Sequence, residues 1–167
     1  MNPLVREAVE ITQDLGDVIF IGAVAIMLHT KTGRPSSDLD IALATELIDA
    51  TLENKGYLRF QEKRDSWQTP RRFKIDIYRR DVSKIPIKLV IETSVRVKID
   101  SASVRVAGLE TLIVAKIRAG RPQDGEDLRL LARKKFNEIN WKILESMTTS
   151  QGEFGSIKTT MNFYRNS

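Results

Sequence analysis

Two carboxylates one residue apart, Asp38 and Asp40 in the run DLDIAL, are the side chains in this sequence best placed to do chemistry. Leu39, Ile41 and Leu43 alternate with Asp38, Asp40 and Ala42. That is the period of a β-strand, so both aspartates fall on one face. Carboxylates held side by side repel and are costly unless something positive lies between them. A hard divalent cation such as Mg²⁺ meets that need, because it takes oxygen ligands and keeps waters that a phosphate substrate can replace. Upstream, the apolar run Val18 to Ile21 stops at Gly22-Ala23, and a short helical stretch follows from Ala23 to His29. Backbone N–H groups at such a turn, close to a helix N-terminus, receive phosphate groups. The alternative is a polar strand face looking into water, and the two-residue spacing alone does not choose between them.

Composition narrows the chemistry further. The chain has no cysteine, which excludes thiol nucleophiles, disulfides and cysteine–zinc sites. Its single histidine, His29, excludes a multi-histidine metal site, and on a short helix it reads more as a face residue than as a catalyst. Catalysis would therefore fall to carboxylates, lysine, arginine or hydroxyls. Lys and Arg outnumber Asp and Glu by 27 to 22, a net charge of +5. The surplus suits a polyanionic partner, nucleotide or RNA, without selecting it. No stretch approaches 18 consecutive apolar residues, and the N-terminal MNPLVREAVEI lacks the apolar core of a signal peptide. The expectation is a cytoplasmic protein with no membrane contact.

The pattern Ile21-Gly22-Ala23, followed by Arg34-Pro35-Ser36-Ser37-Asp38-Leu39-Asp40-Ile41, resembles the nucleotidyltransferase superfamily with the polymerase-beta type core. More narrowly it resembles the AbiEii-type and related minimal nucleotidyltransferases of prokaryotic toxin–antitoxin systems. That family commonly has Gly-Gly or Gly-Ser at the turn; Gly22-Ala23 keeps the backbone N–H groups and lacks the hydroxyl. The resemblance implies a third carboxylate on a later strand, and Asp76 in FKIDIY is the candidate that fits, with Asp81 in the turn RRDVSK as its competitor. Asp76 would be a further metal ligand, or the base that takes a proton from the attacking hydroxyl. A second likeness follows, to a Lys-x-x-Ala-x-Arg-x-x-Asp-x-x-Asp-Leu signature, carried by Lys116, Ala119, Arg121, Asp124, Asp127 and Leu128.

What the resemblance implies is a Mg²⁺- (or Mn²⁺-) dependent transfer of a nucleotidyl group from a nucleoside triphosphate such as ATP to a hydroxyl on tRNA, other RNA or protein. Asp38, Asp40 and Asp76 would be the catalytic and metal-binding set. Gly22, Ala23, Arg34, Ser36, Lys116 and Arg121 would bind the nucleotide, with Asp124 and Asp127 orienting Lys116 or Arg121. A cognate antitoxin protein is an implied partner. Two other classes stay open: a module of the same fold that binds nucleotide or RNA without turnover, and a plain interaction protein with a solvated acidic strand.

The elements that must position these residues follow from periodicity. Residues 3 to 15 read as a first helix, with proline near its start. After DLDIAL, Thr45 reads as the N-cap of a helix ending before Gly56, and Tyr57 to Phe60 reads as a short strand. Residues 61 to 72 read as a polar loop with an exposed Trp67: a hairpin tip, or a basic-aromatic lip that stacks a base. Phe73 to Tyr78 alternates as a strand, and Pro86 to Ile91, Val95 to Ile99 and Ser103 to Val106 read as outer strands. Helices follow Gly108. The fold expected is α/β (α+β): a twisted mixed sheet flanked by helices, with a core over residues 1–107 and a C-terminal helical part over 108–167 closing the cleft in one compact unit.

Overall fold

The structure, a computed structural model, describes residues 1–61 and 65–167. Helix α1 (Pro3–Leu15) begins with proline in its first turn, and the Asn2 side chain accepts from the Leu4 amide at 2.8 Å. One helical face, Leu4, Ala8 and Ile11, is buried. Strand β1 (Val18–Ile21) is buried along its whole length and passes directly into α2 (Gly22–Thr30). Strand β2 (Asp38–Leu43) then returns antiparallel to β1.

A seven-stranded mixed sheet is built around this pair. Its other members are β3 (Leu58–Gln61), β4 (Ser66–Gln68), β5 (Lys74–Tyr78), β8 (Val95–Ile99) and β9 (Ala102–Val106), in the order β3-β4-β5-β2-β1-β9-β8. β2 runs parallel to β5 and β1 parallel to β9, while the remaining pairs are antiparallel. A small hairpin, β6 (Asp81–Val82) and β7 (Ile85–Pro86), turns at Ser83-Lys84. The C-terminal part is helical: α5 (Leu109–Ala119), α6 (Pro122–Lys135), a 3₁₀ turn (Phe136–Glu138), α7 (Trp141–Met147) and α8 (Gln151–Arg165). Helix α5 packs on α6, α7 and α2, and α6 on α8 and α2, so the helical part lies against the N-terminal elements. No helix among the described residues is long and apolar enough to cross a membrane.

Three expectations give way. Helix α3 spans only Asp49–Asn54 and has no Thr45 cap; the Leu47 carbonyl is taken by the Arg79 guanidinium instead of serving a longer helix. Residues 87–93 form a helix, α4 (Ile87–Thr93), where a strand was expected. The apolar alternation Ile85, Ile87, Leu89, Ile91 fits either state over so short a run, and Thr93 Oγ1, bonded to the Leu89 carbonyl at 2.7 Å, ties off the last helical turn. Trp67 is fully buried on β4, not exposed on a loop. Its indole N–H donates to Asp65 Oδ1 at 2.9 Å, and the Arg59 guanidinium lies 4.6 Å from its ring centroid. Both the hairpin-tip reading and the base-stacking reading of Trp67 are therefore overturned. Residues 62–64 of that segment lie outside the described residues.

Candidate active site

Register brings the acidic residues together. On one sheet face Asp40 of β2 stands opposite Asp76 of β5 on one side and Ile21 of β1 on the other. Beyond Asp76 the row continues to Ser66 of β4, whose hydroxyl donates to Asp76 Oδ1. Asp38 lies one strand repeat earlier, at the exposed start of β2, opposite Lys74. The structure thus pairs Asp40 with Asp76 and leaves Asp38 at the rim. Asp81, the competitor of Asp76, is exposed on β6.

The pairing has an electrostatic signature. Burial first, and the neighbouring Asp76 second, push the Asp40 carboxyl up to about 6. A site that holds a carboxylate against its own ionisation is one that a cation would relieve. Mg²⁺ needs only one or two protein carboxylates, the rest of its shell being water and phosphate oxygen. Among the described residues no three acidic or histidine side chains converge on one point, so no closed all-protein cage exists. The donor set fits an open, two-carboxylate Mg²⁺ site that Asp40 and Asp76 would hold, with Asp38 beside it.

The turn that precedes α2 is fitted to the same carboxylate. Gly22 has φ of +67°, a conformation side chains disfavour, and a Cβ there would collide with Asp40 Oδ2. Only glycine lets the first turn of α2 lie this close to β2. Ala23 follows within the helix, and no side chain caps the α2 N-terminus, leaving its amides for an outside acceptor. A cavity of about 310 Å³ opens beside this turn, lined by Gly22, Asp40, Tyr78, Thr111, Lys116 and Arg121 among others. A small-molecule site combines such a cleft with a few convergent polar groups.

A charge ladder closes the back of the cleft. Lys116 of α5 is buried, and its ammonium lies 3.0 Å from Asp124 Oδ1 and 2.8 Å from Asp127 Oδ2, both on α6. Asp124 is held in turn by Arg121, whose Nε is 2.8 Å from Oδ2 and whose backbone N–H reaches the same oxygen at 3.0 Å. Burial alone would raise the Asp124 carboxyl; the hydrogen bonds from Arg121 and Lys116 outweigh it and hold the group to about 2. At the other end Arg34, from the segment before β2, pairs with Asp127 through Nε at 3.3 Å and Nη2 at 3.4 Å. Arg34 Nε is not aligned on that oxygen and is a buried donor without a hydrogen bond, and Arg34 is not among the residues that line the cavity. Arg121, with a side chain 58% exposed, is the ladder's solvent end.

The remaining candidates fall as follows. Ser36 Oγ lies between the Asp38 amide at 3.4 Å and its carbonyl at 3.3 Å, and so shapes the turn into β2. His29 hydrogen-bonds through Nε2 to the Ala107 carbonyl at 2.7 Å and takes no part in the cavity. Burial is the main influence lowering its pKa. Sequence reasoning missed Ser66, Tyr78 and Thr111. Ser66 is a site residue only through the β4–β5 register, and no local signal announces that pairing. Tyr78 stands two residues after Asp76 on an alternating strand, so its presence in the cavity was open to inference.

Comparison with known proteins bears on the whole chain. Residues 3–165 match the family described as Nucleotidyltransferase of unknown function (DUF6036). A search of curated proteins gave no match. Among solved structures, an antigenic nucleotidyltransferase-like protein from Paracoccidioides brasiliensis superposes with a TM-score of 0.60 at 13% identity, covering 98% of this chain and 87% of that one. JHP933 from Helicobacter pylori gives 0.55 at 16% identity, with 98% and 89% covered. An H. pylori protein provisionally assigned as a nucleotidyltransferase gives 0.54 at 16% identity, with 98% and 92% covered. At such identities the likeness is one of fold, and it is the twisted mixed sheet flanked by helices.

Proposed function

The chain belongs to this nucleotidyltransferase family, and from that premise we propose that it transfers a nucleoside monophosphate from a nucleoside triphosphate to a hydroxyl acceptor. The observation that carries the reading is the Asp40–Asp76 pair facing one another beside the uncapped Gly22 turn, at the edge of a cavity that runs back to Lys116 and Arg121. Bound between those carboxylates, Mg²⁺ or Mn²⁺ would neutralise phosphate charge and acidify the acceptor hydroxyl.

The chain's own residues do the rest by position and charge, as phosphoryl-type transfer demands. The α2 amides at Gly22 and Ala23 would cradle the phosphates. Arg121, at the exposed end of the ladder, would meet the departing charge, and Arg34, 30% exposed and paired with Asp127, would add positive charge from the ladder's other end. The acceptor oxygen attacks the α-phosphorus, the bond from that phosphorus to the bridging oxygen breaks, and pyrophosphate leaves with the electron pair. Asp76 takes the hydroxyl proton. Ser66, donating to the other side of that carboxyl, is a positioning residue.

A second reading, nucleotide binding without transfer, draws on one observation: Lys116 is saturated by two carboxylates and so is less free to meet phosphate. Transfer of label from each α-labelled triphosphate, to total RNA and to the protein itself, separates the two. Label that disappears in Asp40→Asn supports transfer. Triphosphate binding with no label on any acceptor supports the binding module. The AbiEii-type kinship and a partnering antitoxin rest on the sequence resemblance, and co-purification with the product of the neighbouring reading frame tests them.

A further inference from the structure

The sheet face that carries Asp40 and Asp76 continues past the cavity to the open edge of the sheet. Register aligns a second row on it: Asp38 on β2, Lys74 on β5, Gln68 on β4 and Leu58 on β3. Phe60 lies where the β3–β4 register shifts, between Arg59 and Gln61, and the Lys74 ammonium, 5.6 Å from its ring centroid, brings it to this face. Leu58 and Phe60 are 64% and 51% exposed. On the opposite face of the same strands Leu39, Trp67 and Ile75 are buried, so the strands are packed on that side, while Lys74 and Gln68 are half-buried beside the exposed Leu58 and Phe60.

An exposed aromatic ring flanked by a cation is a surface on which an unpaired base stacks. From β3 to β2 is three inter-strand steps of about 4.8 Å, or ~14 Å, a span that a few unpaired nucleotides bridge. The cavity lies on the other side of the acidic pair, where Tyr78 continues the face under α5. The carboxylates therefore stand between an enclosed cleft and an open shelf. We propose that the shelf formed by Leu58, Phe60, Gln68 and Lys74 seats the unpaired end of a single-stranded nucleic acid whose terminal hydroxyl is the acceptor. This rests on the nucleotidyltransferase reading: the nucleotide fills the cleft and the acceptor arrives from the shelf. One base stacks on Phe60, Lys74 meets the backbone phosphate, and the hydroxyl reaches Asp76. A second copy of the chain is the competing occupant. Two exposed apolar side chains interrupted by Lys74 and Gln68 fall far short of the roughly 800 Å² per partner that a stable interface buries.

The test is fluorescence anisotropy of an end-labelled single-stranded RNA of ten nucleotides, without triphosphate, against the full chain and three variants. Phe60→Ala and Lys74→Ala are expected to weaken binding, Phe60→Ala by roughly tenfold from the loss of one stacked base. Phe163→Ala, which removes another exposed aromatic on α8, leaves binding unchanged. Triphosphate affinity, read by calorimetry in the same proteins, stays constant. Equal RNA affinity in all four proteins, or no RNA binding by the unaltered chain, overturns the shelf while intact triphosphate binding leaves the transferase reading standing. RNA binding that follows the expected pattern in a protein that binds no triphosphate supports the shelf as a nucleic-acid site and sinks the transferase reading. Concentration-dependent dimerisation abolished by Phe60→Ala overturns the proposal in favour of a second copy.

Discussion

Asp40 is the residue on which the proposed chemistry and the stability of this protein pull in opposite directions. Burial, and after it Asp76, pushes its carboxyl up to about 6 in the folded chain from an ordinary 3.8. A carboxyl raised on folding favours the fold below the lower value, and that contribution is lost as pH climbs through the upper one. Without metal, the protein should therefore lose on the order of 2 kcal/mol between pH 4 and 7 from this group. Chemical denaturation of the Asp40→Asn variant should show that part of the pH dependence gone and stability at pH 8 equal to or above the parent's. Mg²⁺ competes with the same proton, so it should raise the melting temperature of the parent more at pH 8 than at pH 5, and that of Asp40→Asn at neither. Gly22→Ala tests the neighbouring constraint. With φ of +67° and Asp40 in the way, it should cost about 1–3 kcal/mol and abolish the Mg²⁺-dependent rise, read in the same melts.

At the scale of elements, the contacts that matter join segments far apart in sequence. Lys116 on α5 satisfies two buried carboxylates on α6, and α6 in turn holds Arg34 from the approach to β2. Removing one partner from such a cluster strands the others, so Lys116→Met should lower stability by ~3–5 kcal/mol. Lys116→Met with Asp124→Asn and Asp127→Asn should recover part of that loss, as denaturant titration of the two variants would show. Much of the candidate site's arrangement was legible in the sequence because its signals are local. Strand alternation placed Asp40 and Asp76 on polar faces, and a glycine ended the apolar strand before them. What the sequence left hidden depends on partners. Thr45 is a sound cap by type, yet Arg79 claims the carbonyl that a longer helix needs. The run from Ile85 to Ile91 satisfies two periods at once, and tertiary packing around the buried Val90 chose the helix. Trp67, flanked by polar residues, carries no sign that strands will close on both sides of it.

Across the whole molecule, the C-terminal helices are fastened by a further ion pair, between α5 and α8. Arg118 of α5 grips Glu153 of α8 through two hydrogen bonds of 2.9 Å and also donates to the carbonyls of Ser83 and Met147. The Arg118 hydrogen bonds are the main cause that holds the Glu153 carboxyl to about 2. A carboxyl lowered on folding stabilises above its ordinary value of 4.5, and that help fades as pH falls toward 2. Glu153→Gln should accordingly lower the melting temperature at pH 7 and leave a smaller difference from the parent at pH 2.5. Hydrogen exchange should show the loss first in α8, which buries Ile157 and Met161.

The buried indole of Trp67 also gives the protein an internal optical gauge. Trp67 stands next to Ser66, the hydroxyl that holds Asp76, while the only other tryptophan, Trp141, is packed between Phe136 and Phe154 in the helical part. Occupation of the acidic row should therefore perturb one emitter and leave the other as a steady reference. In a Trp141→Phe variant, the emission that remains would come from the sheet alone and would follow events at Asp76 without any added label.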